Sequence, residues 1–299
     1  MKWKCVTCVF LVMIAGASQL PAQQREGDRK DFNDIKDKAE KGDAGAQTSL
    51  GFRYAKGNGV AKNEVEAVKW YFKAAAQNDA QAQTFVGMCY ADGRGVPKDE
   101  VEAVKWYRKA AEQDFAEAQY NLGVCYANGQ GVAKDEVEAV KWFRSATEQD
   151  HAEAQYNLGV HYANGKGVAK DEVEAVKWFR EAAEQNNARA QTSLGTYYAD
   201  GEGVAKDEVE AVKWFRKAAK QNHAEAQYNL GVCYANGQGV AKDYAEAFKW
   251  FLLAAVQGHE DAKNGVVWMK ARMTREQISE GQSLARNFKQ RKGLSPGGR

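Results

Sequence analysis

The chain has 299 residues, of which 27% are charged and 44% hydrophobic, so neither extensive disorder nor a minimal core fits its composition. Its 42 Lys and Arg residues nearly balance its 40 Asp and Glu residues, and a net charge of +2 argues against a nucleic-acid-binding protein, which usually has a strong basic excess. Acidic residues outnumber basic ones in residues 23–259, whereas basic residues outnumber acidic ones after residue 259.

The N-terminal segment, residues 1–22, has the pattern of a cleaved secretory signal. Lys2 and Lys4 precede an apolar run over residues 5–17 that is short for a membrane span, and small residues in that run and after it offer cleavage sites. The alternative is an uncleaved membrane anchor. We expect an exported protein, periplasmic or extracellular, that has no membrane span once the signal is removed.

Residues 44–259 are predicted to form six repeats of 36 residues, because many positions recur at that spacing without an insertion or deletion. The clearest series are Trp70, Trp106, Trp142, Trp178, Trp214 and Trp250, and Ala46, Ala82, Ala118, Ala154, Ala190 and Ala226. In the third repeat, Leu122, Cys125 and Tyr126 have the spacing of one helical face, and a second helix is predicted to begin after Asp135. Each repeat is therefore expected to be a helix pair.

Polar residues and glycines mark the predicted helix ends. Asp135 and Glu138 have the pattern of a capping box, which recurs in every repeat. Gly129 is predicted to end the first helix in a left-handed conformation and Gly131 to ease the turn, while Gly123 in mid-helix predicts the close approach of a neighbouring helix. Residues that tolerate left-handed geometry are predicted to end the second helices, at Gly42, Asn78, Asp114, Asp150, Asn186, Asn222 and Gly258.

Together these motifs resemble the Sel1-like repeat, a relative of the tetratricopeptide repeat. The shared features are A-x-A-x-x-x-L-G-x-x-Y, then G-x-G-V, and then a capped helix with A-x-x-W and A-A. Leu122, Gly123 and Tyr126 in the first helix, and Ala139 and Phe143 in the second, also match tetratricopeptide positions. The resemblance implies an all-α, right-handed α-solenoid of antiparallel helix pairs.

The segments on both sides of the repeats are expected to cap the stack. Residues 23–43 are predicted to form a linker and a capping helix that begins at Asp31. Residues 260–292 are predicted to form a partial repeat and a second capping helix, which begins with a capping box at Thr274. Residues 293–299 are predicted to be a disordered tail.

The sequence predicts no catalytic, metal or cofactor site. The G-x-G loops lack the further residues of a phosphate-binding motif, and the nucleophile motifs S-x-x-K and G-x-S-x-G do not occur. The histidines, at positions 151, 161, 223 and 259, are expected to be dispersed surface residues. We therefore expect a protein that is not an enzyme and binds no cofactor.

Cys89, Cys125 and Cys233 share one position of the repeat and are expected to be small, mostly buried apolar residues. Some exported Sel1-like proteins pair a Cys on each helix of one repeat, and penicillin binding and slow β-lactam hydrolysis are associated with that group. The resemblance therefore leaves open an envelope hydrolase, or a binder of β-lactam or peptidoglycan-like ligands. No repeat here carries the second Cys, which puts this alternative in doubt.

The resemblance also implies a face that binds a partner. In tetratricopeptide arrays the first helix of each repeat lines the inner face, and a recurring Asn can bind peptide backbone. The corresponding residues here are Ser49, Phe85, Asn121, Asn157, Ser193 and Asn229, and each Asn follows a Tyr. We predict a scaffold for a protein or peptide, with the contacts Tyr120, Asn121, Tyr156, Asn157, Tyr228 and Asn229. The alternatives are that these residues only pack within the array, or that the protein is a structural spacer.

Overall fold

A computed structural model describes residues 22–291, with the side chains of residues 30–290. The predicted signal lies outside the described residues except for Ala22, and the predicted tail lies entirely outside them. The described range forms fifteen helices and no strand, with the bounds α1 Ala22–Glu40, α2 Ala44–Lys56, α3 Glu64–Ala76, α4 Ala80–Asp92, α5 Glu100–Ala111, α6 Ala116–Asn128, α7 Glu136–Thr147, α8 Ala152–Asn164, α9 Glu172–Glu184, α10 Ala188–Asp200, α11 Glu208–Lys220, α12 Ala224–Asn236, α13 Tyr244–Val256, α14 Glu260–Lys270 and α15 Arg275–Arg291.

The described chain divides into two compact units. The N-terminal unit holds residues 22–125 and 129–133, and the C-terminal unit holds residues 126–128 and 134–291. Within each unit, successive helices pack against one another as antiparallel pairs, from α1 to α5 in the first and from α7 to α14 in the second. The predicted all-α solenoid class is confirmed. Between residues 22 and 291 no helix is both long and apolar enough to cross a bilayer.

Side-chain caps begin the second helix of every repeat. The Asp207 carboxylate accepts a hydrogen bond from the Glu210 amide at 2.9 Å, and the same cap occurs at Asn63, Asp99, Asp135, Asp171 and Asp243. The predicted capping box is only half formed, because the Glu210 carboxylate pairs with Lys213 at 2.8 Å. The Asp207 amide instead donates to the Tyr198 carbonyl at 2.8 Å. A backbone acceptor thus replaces the predicted carboxylate.

Left-handed residues end both helices of the repeat, as predicted. Gly129 has φ 72°, and its amide donates to the Cys125 carbonyl at 2.9 Å. At the end of the second helices, positive φ is found at Gly42, Asn78, Asp114, Asp150, Asn186, Asn222 and Gly258. These residues let the chain reverse while the last carbonyls of the helix keep hydrogen-bond donors.

Two glycine positions of the repeat permit close packing. A Cβ at Gly195 would lie 2.6 Å from the Phe215 ring and 3.2 Å from the Ala211 carbonyl oxygen, which confirms the predicted close approach of a neighbouring helix. Gly203 has φ +62°, and a Cβ there would lie 2.2 Å from the Glu172 carbonyl oxygen. From the sequence, the glycine at the position of Gly203 was predicted only to ease the turn after the first helix. In the structure the loop also packs on the start of the preceding second helix.

Buried glutamines connect helices both within a repeat and between neighbouring repeats. Gln191 is 1% exposed, donates to the Ala183 carbonyl of the preceding repeat at 3.0 Å and accepts from the side-chain amide of Gln221, in its own repeat, at 2.8 Å. The same Gln–Gln bond within one repeat joins Gln77 to Gln47, Gln113 to Gln83, Gln185 to Gln155 and Gln257 to Gln227. Because a buried amide is costly unless it is hydrogen-bonded, these bonds select one register for both kinds of helix contact.

The two terminal segments pack as caps. Helix α1 begins at Ala22, so the residues before Asp31 that were predicted as a linker are helical. Thr274 and Gln277 form the predicted capping box at the start of α15, with hydrogen bonds of 3.3 and 3.0 Å. The α15 residue Phe288 then packs against Trp250, with 5.4 Å between the ring centroids.

Candidate protein-binding surface

The predicted contact residues lie on the first helices of three repeats. In α8, the flanking residues Gln155 and Leu158 are buried, whereas Tyr156 and Asn157 are only half-buried. The helix thus places this pair at the border between the core and the surface. The same half-buried state is found for all six predicted residues, namely Tyr120, Asn121, Tyr156, Asn157, Tyr228 and Asn229.

Arg189 and His259 cover part of two of the predicted tyrosine rings. The Arg189 guanidinium carbon lies 4.5 Å from the centre of the Tyr156 ring, and Arg189 also pairs with Glu153. The His259 ring stacks on Tyr228, with centroids 4.7 Å apart and planes inclined by 21°. These contacts hold both rings in place, which lowers the entropy that binding a partner would cost.

The three predicted asparagines are not equivalent. The amide nitrogen of Asn121 is buried and has no hydrogen-bond partner among the described residues. A ligand carbonyl can reach that donor only after a local movement. Asn157 and Asn229 occupy the same position of their repeats, so they are the better candidates for an amide that a partner reaches directly. The binding role of the six residues stays a prediction.

The three described cysteines are free thiols, and their burial is as predicted. Cys89, Cys125 and Cys233 are only 7–8% exposed. Burial is the largest cause that raises the pKa of each thiol, to about 11. The thiolate is the nucleophilic and metal-binding form of cysteine, so at neutral pH these groups are poorly activated for catalysis.

The expectation of surface histidines is wrong. His161 is 6% exposed, and its Nδ1 lies 2.9 Å from the Lys166 carbonyl oxygen. His151, His223 and His259 are half-buried at the N-caps of α8, α12 and α14. The turn between repeats is a capping position, and a side chain there folds back towards the helix or the preceding repeat.

The N-terminal unit contains a cleft that the repeat pattern did not predict. Its volume is about 470 Å³, and its walls include Phe52, Lys56, Tyr71, Phe85 and Arg94. In the sequence, Phe85 stands out only as an interruption of the series of Asn and Ser residues. The signal that could have revealed the cleft is the pair of phenylalanines at positions where every other repeat has a non-aromatic residue.

The six repeats coincide with matches to one family model. The Sel1 repeat model matches residues 44–79, 80–115, 116–151, 152–187, 188–223 and 224–259, which follow the 36-residue period throughout. This protein belongs to the Sel1 repeat family.

Solved structures of other Sel1-repeat proteins are similar to this chain. The protective antigen c5321 of uropathogenic Escherichia coli is 35% identical over 88% of this chain, with a TM-score of 0.76, and the match spans 56% of that antigen. A Sel1 repeat protein from Oxalobacter formigenes is also 35% identical, over 77% of this chain and 99% of its own length, with a TM-score of 0.70. No curated protein sequence matches the chain significantly.

Helicobacter pylori cysteine rich protein B is a more distant match. It is 28% identical over 43% of this chain and 92% of its own length, and its TM-score of 0.36 is too low for a comparison of sites. Sel1 repeats form helical scaffolds that generally mediate protein interactions and are generally non-enzymatic.

Proposed function

We propose that this Sel1-repeat protein is a non-enzymatic scaffold that binds a protein or peptide along the inner face of its repeat array. The Tyr–Asn pairs of α8 and α12 carry the proposal, because they are half-exposed side chains at equivalent positions of two first helices. Asn157 and Asn229 can donate to a peptide carbonyl and accept from a peptide amide, and the adjoining rings of Tyr156 and Tyr228 supply apolar area.

The fixed orientation of the rings supports this function. The Arg189 guanidinium packs on the Tyr156 ring, and the His259 ring stacks on Tyr228. The His259 Nε2 also lies 2.9 Å from the Glu225 carboxylate. Because these side chains are already ordered, a partner would lose little of its binding energy to ordering them. An extended segment that places main-chain groups against both pairs fits this arrangement best.

We propose that the scaffold acts in the cell envelope or outside the cell. The basis is the signal-like pattern of residues 1–22. The similarity to a protein described as a protective antigen agrees with such a location. N-terminal sequencing of the protein from its host tests this point. A start after the apolar run supports export, whereas recovery of Met1 would contradict cleavage.

Partner capture tests the binding face. We expect the variant Asn157→Ala/Asn229→Ala to retain its helical content in circular dichroism but to capture cross-linked host proteins at least about tenfold less than the wild type, since each lost amide removes two hydrogen bonds to the partner. The exposed Asn236, at the end of α12, provides the matched control Asn236→Ala. If Asn157→Ala/Asn229→Ala captures as much partner as Asn236→Ala does, the Tyr–Asn pairs are excluded as the binding face.

A further inference from the structure

We infer that the N-terminal unit carries a specific cleft for a peptide in which a bulky apolar side chain adjoins acidic residues. The inference rests on the proposed peptide-binding function and adds to it a site and the chemistry of the partner. The cleft is the one of about 470 Å³ described above, and this volume falls within the range of roughly 300–1,000 Å³ that is usual for ligand sites.

Three aromatic rings form the apolar wall of the cleft. The centroids of Phe52 and Phe85 are 6.2 Å apart, and those of Phe85 and Tyr71 are 4.9 Å apart. Phe52 is 40% exposed, which is unusual for so large an apolar side chain, whereas Tyr71 is buried. The wall therefore runs from the core to the surface and offers an apolar side chain of a partner a place to bury its area.

The other repeats show that the fold does not need these phenylalanines. The position of Phe52 is taken by Met88, Val124, Val160, Thr196 and Val232, and that of Phe85 by Ser49, Asn121, Asn157, Ser193 and Asn229. These repeats form the same helix pairs with smaller or polar residues. The two rings are therefore a local addition to the surface, and an exposed apolar addition of this kind marks a binding site more often than a packing requirement.

The rim of the cleft is mainly cationic. Three basic side chains and one carboxylate line it, namely Lys56, Lys62, Arg94 and Glu64. Lys62 pairs with Glu64 at 2.7 Å, so Lys56 and Arg94 supply the excess of positive charge in the lining. Arg94 forms an exposed ion pair with Asp92, yet its Nε is buried and has no hydrogen-bond partner within the described part of the chain. The Lys56 ammonium lies 5.8 Å from the centre of the Phe52 ring, so positive charge stands directly beside the apolar wall. A carboxylate on the partner would complement this charge.

The combination of these two cations also occurs at this one place in the repeats. The position of Lys56 is Asp or Asn in every other repeat, and that of Arg94 is Asn58, Gln130, Lys166, Glu202 or Gln238. Lys62, in contrast, is Lys in all six repeats. Two aromatic and two cationic changes thus coincide in one cleft, and together they define an apolar group next to a negative charge.

The shape of the surroundings favours a peptide. A second cleft of about 450 Å³ shares Phe52 and Phe85 with the first, and its walls add Thr48, Ser49 and Gln81. The two rings therefore stand between adjoining clefts, and an extended chain can pass over them while its main chain bonds to the hydroxyl and amide groups. Both clefts belong to the N-terminal unit.

The test uses one fluorescein-labelled peptide probe, Gly-Ser-Glu-Trp-Glu-Ser-Gly, in fluorescence anisotropy titrations with the full chain. Two control peptides replace the Trp by Ala or both Glu residues by Lys. We expect saturable binding of the probe and affinities at least about tenfold lower for both control peptides, because each lacks one of the two groups that the cleft complements. Added salt should weaken binding of the probe.

Each protein variant takes the residue that another repeat carries at the same position, so the fold has a natural precedent for it. Phe52→Val/Phe85→Asn removes the rings, Lys56→Asn/Arg94→Gln removes the cations, and Val160→Thr is the matched control outside the cleft. We expect the first two variants to bind the probe at least about tenfold more weakly and the control to bind as the wild type does. Circular dichroism confirms that each variant is folded.

The outcomes separate this site from the Tyr–Asn pairs. Loss of probe binding in the Phe52→Val/Phe85→Asn variant, together with normal binding in Asn157→Ala/Asn229→Ala, supports the cleft. This conclusion does not depend on whether the Tyr–Asn pairs bind a partner. The reverse result overturns the cleft and leaves that face in place. Absence of probe binding to the wild-type protein, or equal binding of all three peptides, also overturns the cleft.

Discussion

One position in the first helix of the repeat shows how a single backbone site can carry different chemistry. The six repeats have Arg53, Cys89, Cys125, His161, Tyr197 and Cys233 there. Arg53 pairs with Asp31 of α1, and the His161 Nδ1–H donates to the Lys166 carbonyl. Tyr197 packs against Phe179, with 5.5 Å between the ring centroids, and the three cysteines are buried as free thiols. The repeat therefore tolerates chemical variation at the edge of its core.

At the cysteines this site predicts slow thiol chemistry. The pKa of Cys89, Cys125 and Cys233 is raised to about 11, so the thiolate appears only as the pH approaches that value. At pH 8 we expect alkylation by iodoacetamide to be about 100-fold slower than for an ordinary cysteine, because the thiolate fraction falls tenfold for each unit of pKa. Peptide mapping by mass spectrometry measures each cysteine separately.

The urea-denatured chain serves as the control for that measurement, since unfolding removes the burial that raises the pKa. Native labelling at pH 8 that is as fast as in urea would contradict the assignment. It would also reopen the alternative of a cysteine-dependent hydrolase, which a chromogenic β-lactam then tests directly.

Among the elements, the second helix depends on polar contacts as well as on its apolar face. Its start is capped by Asp207 and equivalent residues, and Gln221 after its end reaches the buried Gln191 of the preceding first helix. The Asp207 amide also donates to the Tyr198 carbonyl of the preceding first helix, so the second helix is bound to the same neighbour at both ends. Apolar packing alone, which is not directional, would allow helix pairs to slide along one another.

A double-mutant cycle tests the glutamine contact. Gln191→Ala should lower the free energy of unfolding by about 1–3 kcal/mol, because it removes two buried hydrogen bonds, one to the Ala183 carbonyl and one from the Gln221 side chain. Gln221→Ala should cost less, and the two changes should be coupled by about 1 kcal/mol. Urea unfolding followed by circular dichroism at 222 nm measures all three variants.

A matched glutamine lies at the exposed position 282 of α15. Gln282→Ala should change the free energy of unfolding by less than about 0.5 kcal/mol. Strictly additive effects of Gln191→Ala and Gln221→Ala would show that the bond between the two side chains does not stabilise the stack.

For the whole molecule, the strict period makes the repeats interchangeable pieces of chain. Within each unit, neighbouring repeats are joined by equivalent bonds, since Gln83, Gln191 and Gln227 each donate to an alanine carbonyl of the preceding repeat. The stability of such an array is approximately a sum of terms for single repeats and for the contacts between neighbours. Removal of one complete repeat should therefore preserve the remaining structure.

We expect deletion of residues 152–187, one complete family match, to give a folded protein. Its unfolding midpoint in urea should fall moderately and its mean residue ellipticity at 222 nm should stay close to the wild-type value, because the new junction keeps the period. Deletion of residues 152–169, half a repeat, is the control. It removes α8 and places two second helices in succession, so we expect loss of cooperative unfolding. Equal behaviour of both deletions would show that the period does not govern stability.

The sequence by itself determined the helix pairs, their ends and the family, because these depend on local signals repeated six times. Left-handed residues such as Asn78 and caps such as Asp207 act within a few positions of the chain, so a pattern read along the chain can locate them. The close approach at Gly195 was predictable for the same reason, since recurrence in six repeats marked it.

Only the tertiary structure decided which groups from different helices meet. The bond from the Asp207 amide to the Tyr198 carbonyl, the burial of His161 and the stacking of His259 on Tyr228 each depend on residues from different parts of the fold. The cleft at Phe52 and Phe85 depends on such contacts too. A 36-residue pattern emphasises what the repeats share, whereas a binding site arises where one repeat differs and its neighbours leave space. The shared residues therefore specified the scaffold, and the packing of the exceptions specified the candidate site.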